Sequence, residues 1–198
     1  MEASDSVEAQ KEQLRRVMAR LRRQSGLLEA REAGEAMALA LASSREWVRA
    51  ERVGLFAGLE DEPDTRPIFA AIRQSGKTAF FPRCRDEGDV ELVRVDQWAD
   101  LQAGRFGILE PPLGSPAAPL AELDILLLPG VAFDPCGRRL GRGRGFYDRT
   151  LATDPLPRLI GVAYGFQVID RVPTEEHDRR VHAILDENGL RPAVDPAG

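Results

Sequence analysis

Between Gly137 and Arg149 the chain reads Gly-Arg-Arg-Leu-Gly-Arg-Gly-Arg-Gly-Phe-Tyr-Asp-Arg. Glycine alternates at 141, 143 and 145, and arginine occupies 139, 142 and 144. Residues without side chains let a backbone wrap closely around a ligand and turn its N–H groups inward. Arginine adds fixed charge and forked donors. Both suit a polyphosphate, and Asp148 then stands where a carboxylate can hold magnesium against it. The segment lacks the Gly-Lys-Ser/Thr end of a P-loop, and it is G-x-G-x-G rather than the dinucleotide pattern G-x-G-x-x-G. A flexible Arg/Gly loop touching RNA fits the same composition, and on the residues alone the two readings stand level.

Other polar groups carry weaker signals. Lys11 and Arg15 are four apart and share a helix face, which by itself describes a solvated surface. Glu62, within Glu60-Asp61-Glu62-Pro63-Asp64-Thr65, can accept an N–H from a substrate. Read alone, it is a charge complementing a helix N-terminus. His177 and His182 are the two histidines and suit acid–base chemistry near neutrality. His177 and Asp178 are adjacent, which rarely gives triad geometry, and no nucleophile motif accompanies them, so a hydrolase has little support. Cys84 and Cys136 form no C-x-x-C pair, so no structural zinc site is indicated.

These groups need a scaffold. Val7, Leu14, Val17, Met18 and Leu21 recur at helical spacing up to Ser25-Gly26. Leu28 to Leu41 predicts a second helix. Arg52 to Ala57 fits a strand. Pro63-Asp64-Thr65 opens a helix that Gly76 stops. Thr78 to Phe81 predicts a strand closed by Pro82, and Val90 to Val95 alternates as another. Trp98 and Leu101 suggest a short helical turn, and the prolines of Pro111 to Pro119 a loop. Leu123 to Leu128 is continuously apolar, as a strand buried on both faces must be. Tyr147 to Ala152 predicts a helix and Leu159 to Tyr164 a further buried strand. Val181 to Leu185 fits strand or helix equally. Residues 1–6 are expected to be disordered, 7–190 to form one domain, and 191–198 to be a tail. Strands alternating with helices predict an α/β, three-layer α/β/α fold with a mainly parallel sheet. In such sheets ligands bind beyond the carboxyl ends of strands.

Composition sets the outer limits. At 198 residues the chain suits one domain with a sizeable core, and 43% hydrophobic with 30% charged residues is ordinary for a globular protein. A net charge of −5 argues against a general nucleic-acid binder. The acidic, polar start is unlike a signal peptide, and the longest apolar stretch is too short to span a bilayer. A reduced cytoplasmic monomer with no membrane or nucleic-acid partner is the expectation.

Taken in order, these pieces resemble the 5-formyltetrahydrofolate cyclo-ligase (methenyltetrahydrofolate synthetase) family. The matching stretches are Lys11-x-x-Leu14-Arg15, Glu62-Pro63-Asp64-Thr65, Phe106-Gly107-Ile108-Leu109-Glu110-Pro111 and Leu128-Pro129-Gly130-Val131-Ala132-Phe133-Asp134, which leads into Arg139 to Asp148. Ile160-Gly161-Val162-Ala163-Tyr164 with Gln167, Pro173 and His177-Asp178 follow. The resemblance spans roughly residues 11 to 190. It implies ATP-dependent cyclisation of 5-formyltetrahydrofolate to 5,10-methenyltetrahydrofolate with release of ADP and phosphate, through phosphorylation of the formyl oxygen. Carried over, it assigns ATP to Lys11, Arg15 and Arg139, Leu140, Gly141, Arg142, Gly143, Arg144, Gly145, Phe146 and Tyr147. It assigns the folate to Glu62 and to Arg142 through Phe146, catalysis to Arg142 and Arg144, and Mg2+ to Asp148 and Asp178. No nucleophilic cysteine is required, so Cys136 is expected to be dispensable. The family often has Asp where this chain has His182, Thr where it has Asp186, and Tyr where it has Phe146. A divergent member acting on another formyl or carboxyl substrate is the alternative within the family.

Overall fold

Leu126 to Leu128 are uniformly apolar because their strand separates two cores. The computed structural model describes residues 6–175 and 178–194. Its helices are α1 (Val7–Arg22), α2 (Leu27–Ala42), α3 (Arg45–Arg49), α4 (Arg66–Gln74) and α5 (Phe146–Thr150). The first strands are β1 (Arg52–Gly54), β2 (Thr78–Cys84), β3 (Val90–Val95), β4 (Gln102–Ala103), β5 (Leu109–Glu110) and β6 (Ala117–Ala118). Then come β7 (Ile125–Pro129), β8 (Ala132–Phe133), β9 (Arg139–Leu140), β10 (Arg158–Val162), β11 (Ala183–Asp186) and β12 (Gly189–Pro192). Eight strands make one sheet in the order β12-β11-β10-β7-β1-β2-β3-β6. The run from β11 to β2 is parallel, and the flanking pairs are antiparallel.

Alternation along β7 sorts the core. Ile125 and Leu127 join Val53, Phe81 and Ile160 beneath α2, α3 and α4, which contribute Met37, Leu41, Trp47, Ile68 and Ile72. Leu126 and Leu128 face the other way, with Phe80, Leu159 and Ile184, against Phe133, Leu151 and α5. Each fully buried Leu or Ile contributes about 1.5–3 kcal/mol. The result is the expected mainly parallel α/β fold in a single domain. Helix α1 packs apart, its Met18 set among Val131, Ala132, Leu140 and Val172.

Several expectations need correction. Ser6 is ordered, its hydroxyl accepting the Ala9 N–H at 3.2 Å as the α1 cap; residues 1–5 lie outside the described residues. The tail assigned to 191–198 begins as structure. Asn188-Gly189 reverse the chain, Arg191 ion-pairs with Asp186, and β12 pairs antiparallel with β11. Ala193 and Val194 then donate to the carbonyls of His182 (3.0 Å) and Pro135 (2.8 Å). Strand β2 runs through Pro82 to Cys84. Strand β1 pairs with it only as far as Phe80, so one edge of β2 lies open where the proline lacks its donor. Leu55 to Ala57 are buried but leave the sheet. The short α3, capped by Ser44 accepting the Trp47 N–H at 3.1 Å, has no strong sequence signature. Val181 to Leu185 resolves into β11.

Candidate functional site

The Arg/Gly loop is carried by a ribbon at the carboxyl end of β7. Past Pro129 and Gly130, β8 and β9 pair antiparallel. The turn between them is built on Asp134, which is fully buried. Its carboxylate accepts the N–H groups of Cys136 (3.0 Å), Arg138 (3.1 Å) and Val172 (2.9 Å). Leu140 is buried against α1, which makes it an anchor. The loop then turns through Gly143 (φ 89°) and Gly145 (φ 69°), left-handed conformations that glycine adopts without strain, and enters α5.

Beneath this loop lies a cavity of about 420 Å³. Phe56, Pro82, Ile108, Phe146 and Tyr147 supply apolar wall; Glu62, Glu110, Arg139, Arg142, Arg144 and Asp148 supply charge. Arg142 donates to Glu62 Oε1 at 2.6 Å from Nη2 and 3.2 Å from Nε, and to Asp61 Oδ1 at 3.2 Å. From α1, Arg22 reaches the same acids, at 2.8 Å to Asp61 and 3.5 Å to Glu62. Burial disfavours the charge on Arg142, but Glu62 and Asp61 outweigh it and raise its pKa. For Arg22, burial and the nearby Arg142 charge win against both acids and lower it. Burial, with the Asp61 and Glu62 charges, pushes the Tyr164 hydroxyl up to about 12. Arg139 donates to Asp148 at 2.5 Å and to the Pro129 carbonyl at 3.2 Å, with its guanidinium 5.8 Å from the Tyr147 ring centre.

Glu62 does not cap a helix. Its Oε2 accepts the Leu59 N–H at 3.1 Å, closing the turn before α4, while Asp64 takes the Arg66 N–H at 2.9 Å. The structure thus brings Glu62 together with Arg139, Gly141, Arg142 and Arg144 to Asp148. Gly143 is in the same loop but is not part of the wall.

Lys11 and Arg15 sit behind the loop. Lys11 is buried and pairs with Glu175 (2.8 Å) and Asp178 (2.9 Å). Burial opposes its charge, but the two carboxylates raise its pKa. Arg15 Nε donates to the Gly141 carbonyl at 3.2 Å, and its guanidinium flanks Gly143. Neither residue nor Asp178 lines the cavity. Among the described residues no three His, Cys, Asp or Glu side chains converge as a metal cluster. Magnesium needs only one or two carboxylates beside phosphate and water, and Asp148 in the cavity wall fits that sparse demand. Cys136 lies outside the wall. His182 Nδ1 accepts the Leu159 N–H at 2.9 Å, at the amino ends of β10 and β11, away from the cavity. His177 lies outside the described residues.

Sequence reasoning missed Arg22, Asp61 and the Cys84–Glu110 pair. The spacing Lys11, Arg15, Met18, Arg22 is one helical face, and that stripe was the available signal for Arg22.

The 5-formyltetrahydrofolate cyclo-ligase family model matches residues 7–187. The chain is 34% identical over 147 residues to the 5-formyltetrahydrofolate cyclo-ligase of Escherichia coli K12, covering 70% of this chain and 79% of that one. To the Mycolicibacterium smegmatis enzyme of the same name it is 32% identical over 188 residues, covering 91% and 95%. The NMR structure of Aquifex aeolicus 5,10-methenyltetrahydrofolate synthetase superposes with a TM-score of 0.81 at 32% identity, covering 93% of each chain.

Proposed function

Because the chain belongs to the 5-formyltetrahydrofolate cyclo-ligase family, we propose that it uses ATP to close 5-formyltetrahydrofolate to 5,10-methenyltetrahydrofolate, releasing ADP and phosphate. One observation carries the reading: a single cavity joins three arginines and a glycine-rich backbone to the carboxylate of Glu62 and to apolar walls. The anionic co-substrate belongs at the loop, and the reduced pteridine belongs against the apolar wall. Glu62 would present its carboxylate to the folate while fixing Arg142. Lys11 and Arg15 would act on phosphates from behind the loop, in a bound state where Lys11 exchanges a carboxylate for phosphate.

The formyl group is an amide, so its carbon is a poor electrophile, and direct closure would expel an oxide-like oxygen. In the proposed path the formyl oxygen attacks the γ-phosphorus and ADP leaves. N10 of the same molecule attacks the activated carbon. The phosphate ester oxygen then departs as inorganic phosphate, and N10 loses its proton. Arg142 and Arg144 would stabilise charge on the transferring group by position. Holding the folate bent makes the N10 attack intramolecular. Asp148, with Asp178 or a water, would hold magnesium, which when bound neutralises phosphate charge. The RNA reading loses ground, because Arg139, Arg142 and Arg144 converge with Glu62, Glu110 and Asp148 on one cavity, whereas RNA binding calls for a basic surface extending beyond one loop.

The test is an assay of purified protein with 5-formyltetrahydrofolate, with and without Mg-ATP. The methenyl chromophore should appear only with ATP, and ¹⁸O from a labelled formyl group should emerge in phosphate. Label confined to water, or closure at the same rate without ATP, refutes the path. ATP turnover that ignores this folate marks a different formyl or carboxyl substrate.

A further inference from the structure

Glu110 is the buried carboxylate that the phosphate chemistry leaves unused. It ends β5 with 7% of its surface exposed. Among the described residues its carboxylate is met by Cys84 alone, whose N–H reaches Oε2 at a long 3.4 Å and whose thiol lies against the same group. Its Oε1 is sealed from solvent and has no hydrogen-bond partner among the described residues. The side chain is packed tightly: a Cβ on Gly104 would lie 2.6 Å from its Cδ and 2.8 Å from Oε2. The cavity's other acids are served, Glu62 by Arg142, Arg22 and the Leu59 N–H, and Asp148 by Arg139. An unmade hydrogen bond on a buried carboxylate oxygen is costly, and a ligand that brings the missing donor would account for it.

Glu110 also stands in a partition. It lines the 420 Å³ cavity beside Cys84, Ile108 and Pro82, and it lines an adjoining cavity of about 590 Å³ bounded by Arg83 and Arg105. Glu62 and Glu110 both line the 420 Å³ cavity, so a ligand that fills it can meet both acids. A carboxylate repels phosphate and accepts N–H. Building on the folate reading above, we propose that Glu110 is a specificity-determining residue whose carboxylate accepts an N–H donor of the reduced pteridine.

The experiment measures 5-formyltetrahydrofolate and Mg-ATP binding separately, by calorimetry, on the parent, Glu110→Gln and Glu110→Leu. Losing a charge-assisted bond should weaken folate binding about tenfold in E110Q, which keeps a neutral acceptor, and about a hundredfold in E110L. ATP affinity should stay within about twofold in both, given that the phosphates are held elsewhere. The thermal midpoint of E110Q should not fall, since its amide oxygen still accepts the Cys84 N–H. In turnover the loss should appear chiefly in KM, as for binding shared by ground and transition states. Unchanged folate affinity in either folded variant overturns the proposal. Equal losses for ATP and folate do so too, as does a midpoint drop in E110Q that accounts for the loss. A parent that does not bind this folate refutes both the functional reading and Glu110's role. A parent that binds it, with variants that bind it equally well, refutes Glu110's role alone.

Discussion

Arg142 and Arg22 draw on the same two carboxylates, so their substitutions should have different outcomes. Arg142 is partly exposed and faces the cavity, while Arg22 is buried beneath it. Arg142→Ala removes a cation from the proposed phosphate site but leaves Arg22 to hold Asp61 and Glu62. ATP binding should weaken by about 1.5–3 kcal/mol, folate binding by less, with the fold retained; calorimetry on the variant checks this. Unchanged ATP affinity would remove Arg142 from the phosphate site. Cys84 offers an independent probe. Burial, then the hydrogen bond and charge of Glu110, push its thiol up to about 12, against the opposing pull of Arg105 and Arg144. At pH 8 Cys84 should therefore alkylate slowly, because only the thiolate is nucleophilic. Glu110→Gln should speed iodoacetamide labelling of Cys84 several-fold, read by mass spectrometry. Labelling at the parent rate would mean that burial alone holds the thiol. Glu62 and the loop arginines were legible as types in the sequence. Their pairing was not, because Glu62 and Arg142 stand 80 residues apart and meet only through the sheet.

Helix α2 shows how an element far from the chemistry holds the site in place. The Ala30 carbonyl accepts the Asp64 N–H at 3.1 Å, and Gly34 lets the Asp64 backbone lie directly on the helix. Replacing a helical glycine by alanine usually stabilises by about 1 kcal/mol. At Gly34 the added Cβ would overlap the Asp64 carbonyl, so the sign should reverse. Gly34→Ala should cost about 1–3 kcal/mol in denaturant unfolding and lower turnover by shifting Asp61 and Glu62. A stabilised Gly34→Ala protein would refute the packing argument. Elements with strong periodicity or end signals were legible: α1, α2, the Gly76 stop of α4 (φ 74°) and β7. Local patterns misled where a neighbour decided the outcome. Pro82 stays in β2 because β1 has already ended, and Arg191-Pro192 become a strand because β11 offers an edge.

Across the whole molecule β1, β2 and β7 send their carboxyl ends to the cavity, and His182 sits at the opposite end of the sheet. Burial first, then the Arg158 charge, lower its pKa from the ordinary value near 6.5. Above that pH the ring is neutral in folded and unfolded chains alike and contributes no pH dependence. As pH falls through 6.5 the unfolded chain takes up the proton first, so stability declines until the folded pKa is reached. The decline should be shallow, because His182 is an exposed residue and solvent screens the effect. His182→Asn keeps an acceptor for the Leu159 N–H and cannot titrate, so its denaturation midpoints between pH 7 and 5 should fall less than the parent's. Parallel pH curves would exclude His182. The α/β class was legible from the apolar central strands, but the docking of α1 was not. That docking bears on synthesis at the ribosome. Lys11 finds its partner 167 residues later in Asp178. At about 5–20 residues per second the first helix waits roughly 8–33 s for that partner to be made. During that interval Leu14 and Met18 have no finished surface to cover them. The nascent helix α1 thus stays without its buried ion pair until Asp178 has been made, and only then is the Arg/Gly loop braced from behind.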